Sequence, residues 1–247
     1  MNEVRAIRQA GGAGIVGVIL LAASFVVANW TDPATPDSAL RADIRDAEGQ
    51  AYLAYTLLAP AVGLLIWFAT GLRRFLLVRC RADRLAAAVV PGMVFFTALF
   101  SAGIALILSS AFAVSWTDEF RADANLFRAL AIGGIGLAFV GLAGGAAVVA
   151  ATSRAADVAG VIPRWMAWVG YAVAFVAVFG MWTFGAALIP FALWLLAAAI
   201  GLVRGAGSLA ASAPPASAPV AAPAADASMP SQSGVPAEEP KGAGQPQ

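Results

Sequence analysis

Of the 247 residues, 61% are apolar and only 12% are charged, about half the charged share of an ordinary soluble domain. A water-soluble fold of this length could not bury so much apolar surface, whereas a bilayer removes the need. The net charge of +1 says little as a total. The absence of histidine excludes imidazole metal ligation, haem axial histidines and histidine acid–base chemistry, and the single cysteine, Cys80, excludes an intramolecular disulfide.

A hydrocarbon core of about 30 Å takes roughly 20 helical residues to cross. Six uncharged runs approach that requirement, at residues 10–28, 51–72, 85–116, 129–153, 165–182 and 183–203. They predict an all-α fold. It is a polytopic six-helix transmembrane bundle over 10–204, with a cytoplasmic N-terminus at 1–9 and a tail at 205–247.

The first run has two readings. MNEVRAIRQ followed by an apolar stretch ending in Val26, Val27 and Ala28 fits a cleaved signal peptide, but the run is long for that purpose, which favours a retained helix. Beyond it, Asp37 precedes SALRADI, with Leu40 and Ile44 four residues apart. This predicts an Asp37-capped short helix lying on the membrane surface. In the third run, Pro91 and Gly92 predict a kink or an interfacial first turn.

The fourth run contains LAIGGIGLAFVGLAGGAAVV, where Gly134, Ala138, Gly141 and Gly145 recur at steps of four, three and four. These residues form one smooth stripe suited to close backbone packing in lipid. The stripe fits either the centre of the bundle or a homodimer seam. The fifth and sixth runs are joined through MWTFGA and predict an antiparallel hairpin. After Arg204 the chain turns to Ala, Pro, Ser, Gly and Gln, with eight of its fourteen prolines. It lacks the large apolar side chains of a core, so a disordered cytoplasmic tail is expected.

Orientation follows from the basic residues. An inside N-terminus puts eleven of the fifteen on cytoplasmic segments and leaves Arg41, Arg45, Arg121 and Arg128 outside, among eight acids. The positive-inside rule then gives both termini inside. Trp30, Trp116 and Trp182 close the first, third and fifth helices at the outer face, each followed by threonine, while Trp165 and Trp168 fit the inner interface. An aromatic belt with helix caps explains this repetition most simply. A degenerate hairpin repeat and an external acidic ligand site around Asp32 and Asp118 are the alternatives.

No charge lies in the middle of any predicted helix, which argues against a proton- or sodium-coupled transporter of the usual kind. The polar residues there are Tyr55, Thr56, Thr97, Ser101, Ser109, Ser110 and Tyr171, whose hydroxyls are expected to bond back to their own helices. Pro60 and Pro190 read as kinks, with a cavity-lining break as the alternative. The segment GLRRFLLVRCRADRL carries Arg73, Arg74, Arg79, Arg81 and Arg84 against one aspartate. It reads as a topology signal able to contact anionic lipid headgroups, and nucleic acid is not expected as a partner.

Three stretches carry a resemblance: LIWFATGLRRFL at 65–76, VIPRWMAWVGY at 161–171 and FALWLLAAAIGLVRG at 191–205. With the Asp- and Ala-rich loop DPATPDSALRADIRDAEG at 32–49, the chain resembles a bacterial, high-GC type family of six-helix integral membrane proteins of unknown function. The resemblance spans about residues 10–205 and implies the same architecture in the bacterial cytoplasmic membrane. It carries over no active-site residue.

No nucleophile, base and metal set can be assembled from the sequence, so no enzyme, cofactor or metal site is expected. The sequence reading places first a non-enzymatic accessory or scaffold protein acting through helix packing. Its partners would be the lipid bilayer and a second copy or another membrane protein. The alternative is a permease or binding protein for a small lipophilic or neutral compound held inside the bundle.

Overall fold

The computed structural model describes residues 2–28, 34–116, 123–179 and 187–211, and these are all helical apart from short connections. The elements are α1 (Asn2–Val27), α2 (Asp37–Asp46), α3 (Glu48–Phe75), α4 (Asp83–Trp116), α5 (Ala124–Val158), α6 (Arg164–Phe179) and α7 (Leu188–Ala211). Five of them contain stretches long and apolar enough to cross a membrane: Glu3–Val27, Glu48–Cys80, Asp83–Ser109, Ala124–Val158 and Leu188–Ala206. At 16 residues, α6 is apolar but spans about 24 Å, short of a full hydrocarbon core. The MWTFGA turn and the tail from residue 212 lie outside the described residues.

Most helices overrun the uncharged stretches that predict them. α1 begins at Asn2 rather than Ala10, and α5 extends from Ala124 to Val158 rather than over 129–153. The reason is physical: charged turns such as Arg154–Asp157 continue a helix once it has left the hydrocarbon, because their charges can be solvated.

Contacts run around the bundle in the order α7, α1, α3, α4, α5, α6, and α6 and α7 touch each other only sparsely. Phe68 of α3, Phe96 of α4 and Phe191 of α7 are fully buried. The Phe96 and Phe191 rings meet edge to face with centroids 4.9 Å apart. Lipid supplies little hydrophobic force between helices, so close approach of small residues must do the joining. α1 provides it with Gly14, where an added β-carbon would lie 2.5 Å from the Phe68 ring and 3.0 Å from Ala199 of α7. Ser24 adds a hydrogen bond between helices, its hydroxyl donating to the Ala54 carbonyl at 2.9 Å.

The short helix predicted after Asp37 is present, but its details differ from expectation. Pro36 occupies the N-cap position and no side chain caps the helix. The Asp37 carboxylate instead accepts from Arg128 of α5 at 2.8 Å, and Arg128 also donates to the Thr35 carbonyl at 3.0 Å. Leu40 and Ile44 are buried with Ala124, Phe127 and Ala131 of α5. The apolar face of α2 thus packs on protein. The side chain that does cap a helix is Asp123, which accepts from the Asn125 amide at the start of α5.

At its far end α3 runs into a single π-helical turn, Leu76–Cys80, closed by Arg81 in the left-handed region at φ 48°. The chain reverses there into α4, which holds Pro91 inside one continuous helix. Arg73, Arg74, Arg79, Arg81 and Arg84 are all exposed around this reversal.

Candidate functional site

Two features stand out once the helices are in place: a tight seam between α4 and α5, and a cavity where α6 and α7 fail to close.

The seam holds the glycine stripe. A β-carbon added at Gly134 would run into the Gly103 carbonyl oxygen of α4, and one at Gly103 would run into the Gly134 carbonyl and lie 3.1 Å from the Ala138 side chain. At Gly141 it would lie 3.0 Å from the Phe100 amide nitrogen. Gly145 meets a side chain instead: the Phe191 ring of α7 would be 2.5 Å away. Gly144, Gly92 and Gly103 form the rest of the seam and are not singled out by the sequence pattern. A β-carbon at Gly144 would be 2.6 Å from the Gly92 carbonyl oxygen. The face carrying Gly134 and Gly141 is therefore covered by α4 of the same chain.

The cavity has a volume of about 480 Å³ and an almost wholly apolar lining. Leu72 and Phe75 of α3, Thr152 of α5, Trp165 and Val169 of α6, and Trp194 of α7 contribute to its wall. Pro190 also lines it, whereas Pro60 is exposed. The size falls in the range of small-molecule sites, which are mostly apolar with a few placed polar groups. Here the polar side chains on the wall are Thr152, Ser153 and the indoles of Trp165 and Trp194. Ser153 Oγ sits against Gly170 of α6, where a β-carbon would collide with it. Thr152 Oγ1 is buried and has no hydrogen-bond partner among the described residues.

Among the described residues Ser101 shares that state, whereas the other helical threonines bond back to their own helices. Thr56 donates to the Tyr52 carbonyl at 2.8 Å and Thr97 to the Met93 carbonyl at 2.9 Å, each bonding four residues back along its own helix. Such back-bonding is the default for a helical threonine. Of the hydroxyl residues the sequence singles out, Tyr55 packs on Phe112, Tyr171 stands edge-on to Trp168, and Ser101 is buried without a partner. None of these three lines the cavity. Thr152 is invisible to a sequence reading because it falls beside Arg154, at the end of the apolar run.

The interfacial tryptophans divide. Trp30 and Trp182 lie outside the described residues, and Trp116 ends α4 with its side chain outside the description. Trp165 and Trp168 open α6 and are 66% and 69% exposed, Trp165 with part of its surface on the cavity. Among the described residues, no three His, Cys, Asp or Glu side chains converge as a metal site would require. Compared with protein-family models, curated proteins and solved structures, the chain matches none of them.

Proposed function

We propose that this chain is a non-enzymatic multi-pass protein of a bacterial cytoplasmic membrane that binds a lipophilic or neutral compound in the groove between α6 and α7. Six crossings with both termini inside are read from the six apolar runs at 10–28, 51–72, 85–116, 129–153, 165–182 and 183–203. The eleven basic residues gathered on one side support the same orientation. The resemblance to six-helix bacterial membrane proteins points to the same architecture.

The cavity is the observation that carries the functional reading. A void of about 480 Å³ with an almost wholly apolar wall suits a mostly apolar guest. A scaffold acting through helix packing needs no such space, which moves the balance from the accessory reading toward binding.

The test is native mass spectrometry of the full chain extracted in mild lipid particles. A retained small molecule or lipid, lost when Gly201 on the cavity wall is replaced by Phe, is the expected result. A stoichiometric protein partner, with nothing retained in the cavity, would overturn the binding reading and restore the accessory one.

A further inference from the structure

The guest can be narrowed further, resting on the binding reading just given. The lining of the cavity on α7 runs from Pro190 to Leu202, about 18 Å of helix at 1.5 Å per residue. That is somewhat more than half of a hydrocarbon core of about 30 Å. The slot therefore has the reach of one leaflet, and one hydrocarbon chain fits it better than a compact molecule.

Its polarity is graded along that length. Toward one end stand Val173, Pro190 and Leu193, which offer no side-chain hydrogen bond. Toward the other, Thr152 and Ser153 stand on the wall, with Thr152 Oγ1 itself buried behind it. Two residues on from Thr152, about 3 Å along α5, comes Arg154. Arg164 adjoins Trp165 on the wall, Arg204 follows Leu202 by two residues, and Arg73 and Arg74 lie between Leu72 and Phe75. All five arginines are exposed at this end. Asp157 opposes them and stands 3.6 Å from Arg154, leaving a clear positive excess.

A glycerophospholipid carries the same gradient, from hydrocarbon chain to charged phosphate. We propose that the groove holds one chain of an anionic phospholipid drawn from the leaflet at the arginine-rich end. The exposed arginines surround the phosphate. The positive excess selects a headgroup with net negative charge over a zwitterionic one.

The experiment uses the full chain, delipidated in detergent and titrated with phosphatidylglycerol or phosphatidylcholine of identical chains, with bound lipids counted by native mass spectrometry. Wild type is expected to hold one phosphatidylglycerol at least tenfold more tightly than phosphatidylcholine. Gly201 lines the cavity, and an added β-carbon there meets nothing within 4 Å, so Gly201→Phe plugs the slot without a backbone clash. It should abolish retention of both lipids while unfolding at the wild-type temperature. Ala197→Phe, from an exposed position on the same wall, is a second plug should the first fail to fold. The double variant Arg164→Gln/Arg204→Gln should still bind lipid but lose most of the preference.

Equal retention of the two lipids by wild type, or a retained neutral compound with no phospholipid, would overturn the anionic assignment and leave the binding reading intact. A phosphatidylglycerol preference that survives both plugs would place the lipid on the outer arginine surface and overturn the groove itself.

Discussion

The α4–α5 seam makes a sharp prediction because neighbouring glycines on one helix should respond in opposite directions. Gly134→Ala puts a methyl group into the Gly103 carbonyl, and Gly103→Ala puts one into the Gly134 carbonyl. Backbone cannot rotate away as a flexible side chain can, so relief requires the two helices to part by something on the order of 1 Å. A gap of that size forfeits up to about half of each van der Waals contact. The loss extends along a seam reaching to Gly92 and Gly144, about 16 Å of α4. Overpacking a tight core costs about 1–3 kcal/mol, and a backbone clash belongs at the upper end, near 3 kcal/mol. Gly133 and Gly136 face open space, with nothing within 4 Å of an added β-carbon. Alanine there should be neutral or stabilising by up to about 1 kcal/mol. Thermal unfolding of the purified full chain in mild detergent reads both. The seam variants should melt about 6–12 °C lower, at about 2–4 °C per kcal/mol for a chain of this size. Gly103→Ala and Gly134→Ala combined should cost less than the sum of the two, since both push at the same point. If Gly133→Ala melts as low as Gly134→Ala, the register of α4 on α5 is wrong.

Three further outcomes are expected. Thr152→Val removes a buried hydroxyl that has no partner, so the lipid-free protein should gain about 1 kcal/mol and melt a few degrees higher; a loss of that size would mean the hydroxyl is already satisfied. On the α2 side, the Arg128–Asp37 pair is 28% and 57% exposed in its side chains, so Asp37→Asn should cost no more than about 0.5 kcal/mol. Leu40 is fully buried, and Leu40→Ala should cost about 2–3 kcal/mol and speed amide hydrogen exchange through α2; equal effects of the two variants would refute an apolar anchor. Cys80, the only thiol, is partly exposed in the α3–α4 reversal. It should react with a membrane-impermeant maleimide only in inverted vesicles, and labelling in intact cells would reverse the proposed orientation.

The helices were legible because their signal is local: an uncharged run of sufficient length names a span without knowledge of its neighbours. Its ends were less legible, since Arg154 and Asp157 continue α5 after the apolar run has stopped. The stripe at Gly134, Ala138, Gly141 and Gly145 is also local, visible as a period along one helix. Its complement is not. Gly92 and Gly103 stand eleven residues apart among Phe, Leu and Val, and only the antiparallel register of α4 on α5 gives them meaning. Asp37 looked like a cap from its position alone, while its actual partner, Arg128, is 91 residues away. The cavity was least legible of all, because it comes from side chains on four helices that do not fill the space between them.

Why the bundle opens between α6 and α7 follows from the same packing rule. α4 and α5 are joined by facing glycines, α1 meets α3 and α7 through Gly11 and Gly14, and α6 meets α5 where Gly170 receives Ser153. Each of these seams has a small residue that lets two backbones approach. On the α6–α7 side, the wall carries Val169, Val173, Leu193 and Trp194 beside the small residues Ala197 and Ala198. Gly201 lines it too, but meets open space rather than a partner helix. The two helices touch only sparsely there, and in lipid nothing compels them to close, because the hydrocarbon that would be expelled is as apolar as the surfaces it leaves. A gap in a soluble core is a defect to be filled by mutation. At a lipid-facing seam it is a standing vacancy for the surrounding solvent, whose molecules are phospholipids. On the reading proposed above, the exposed arginines at one end of the groove select which of them stays.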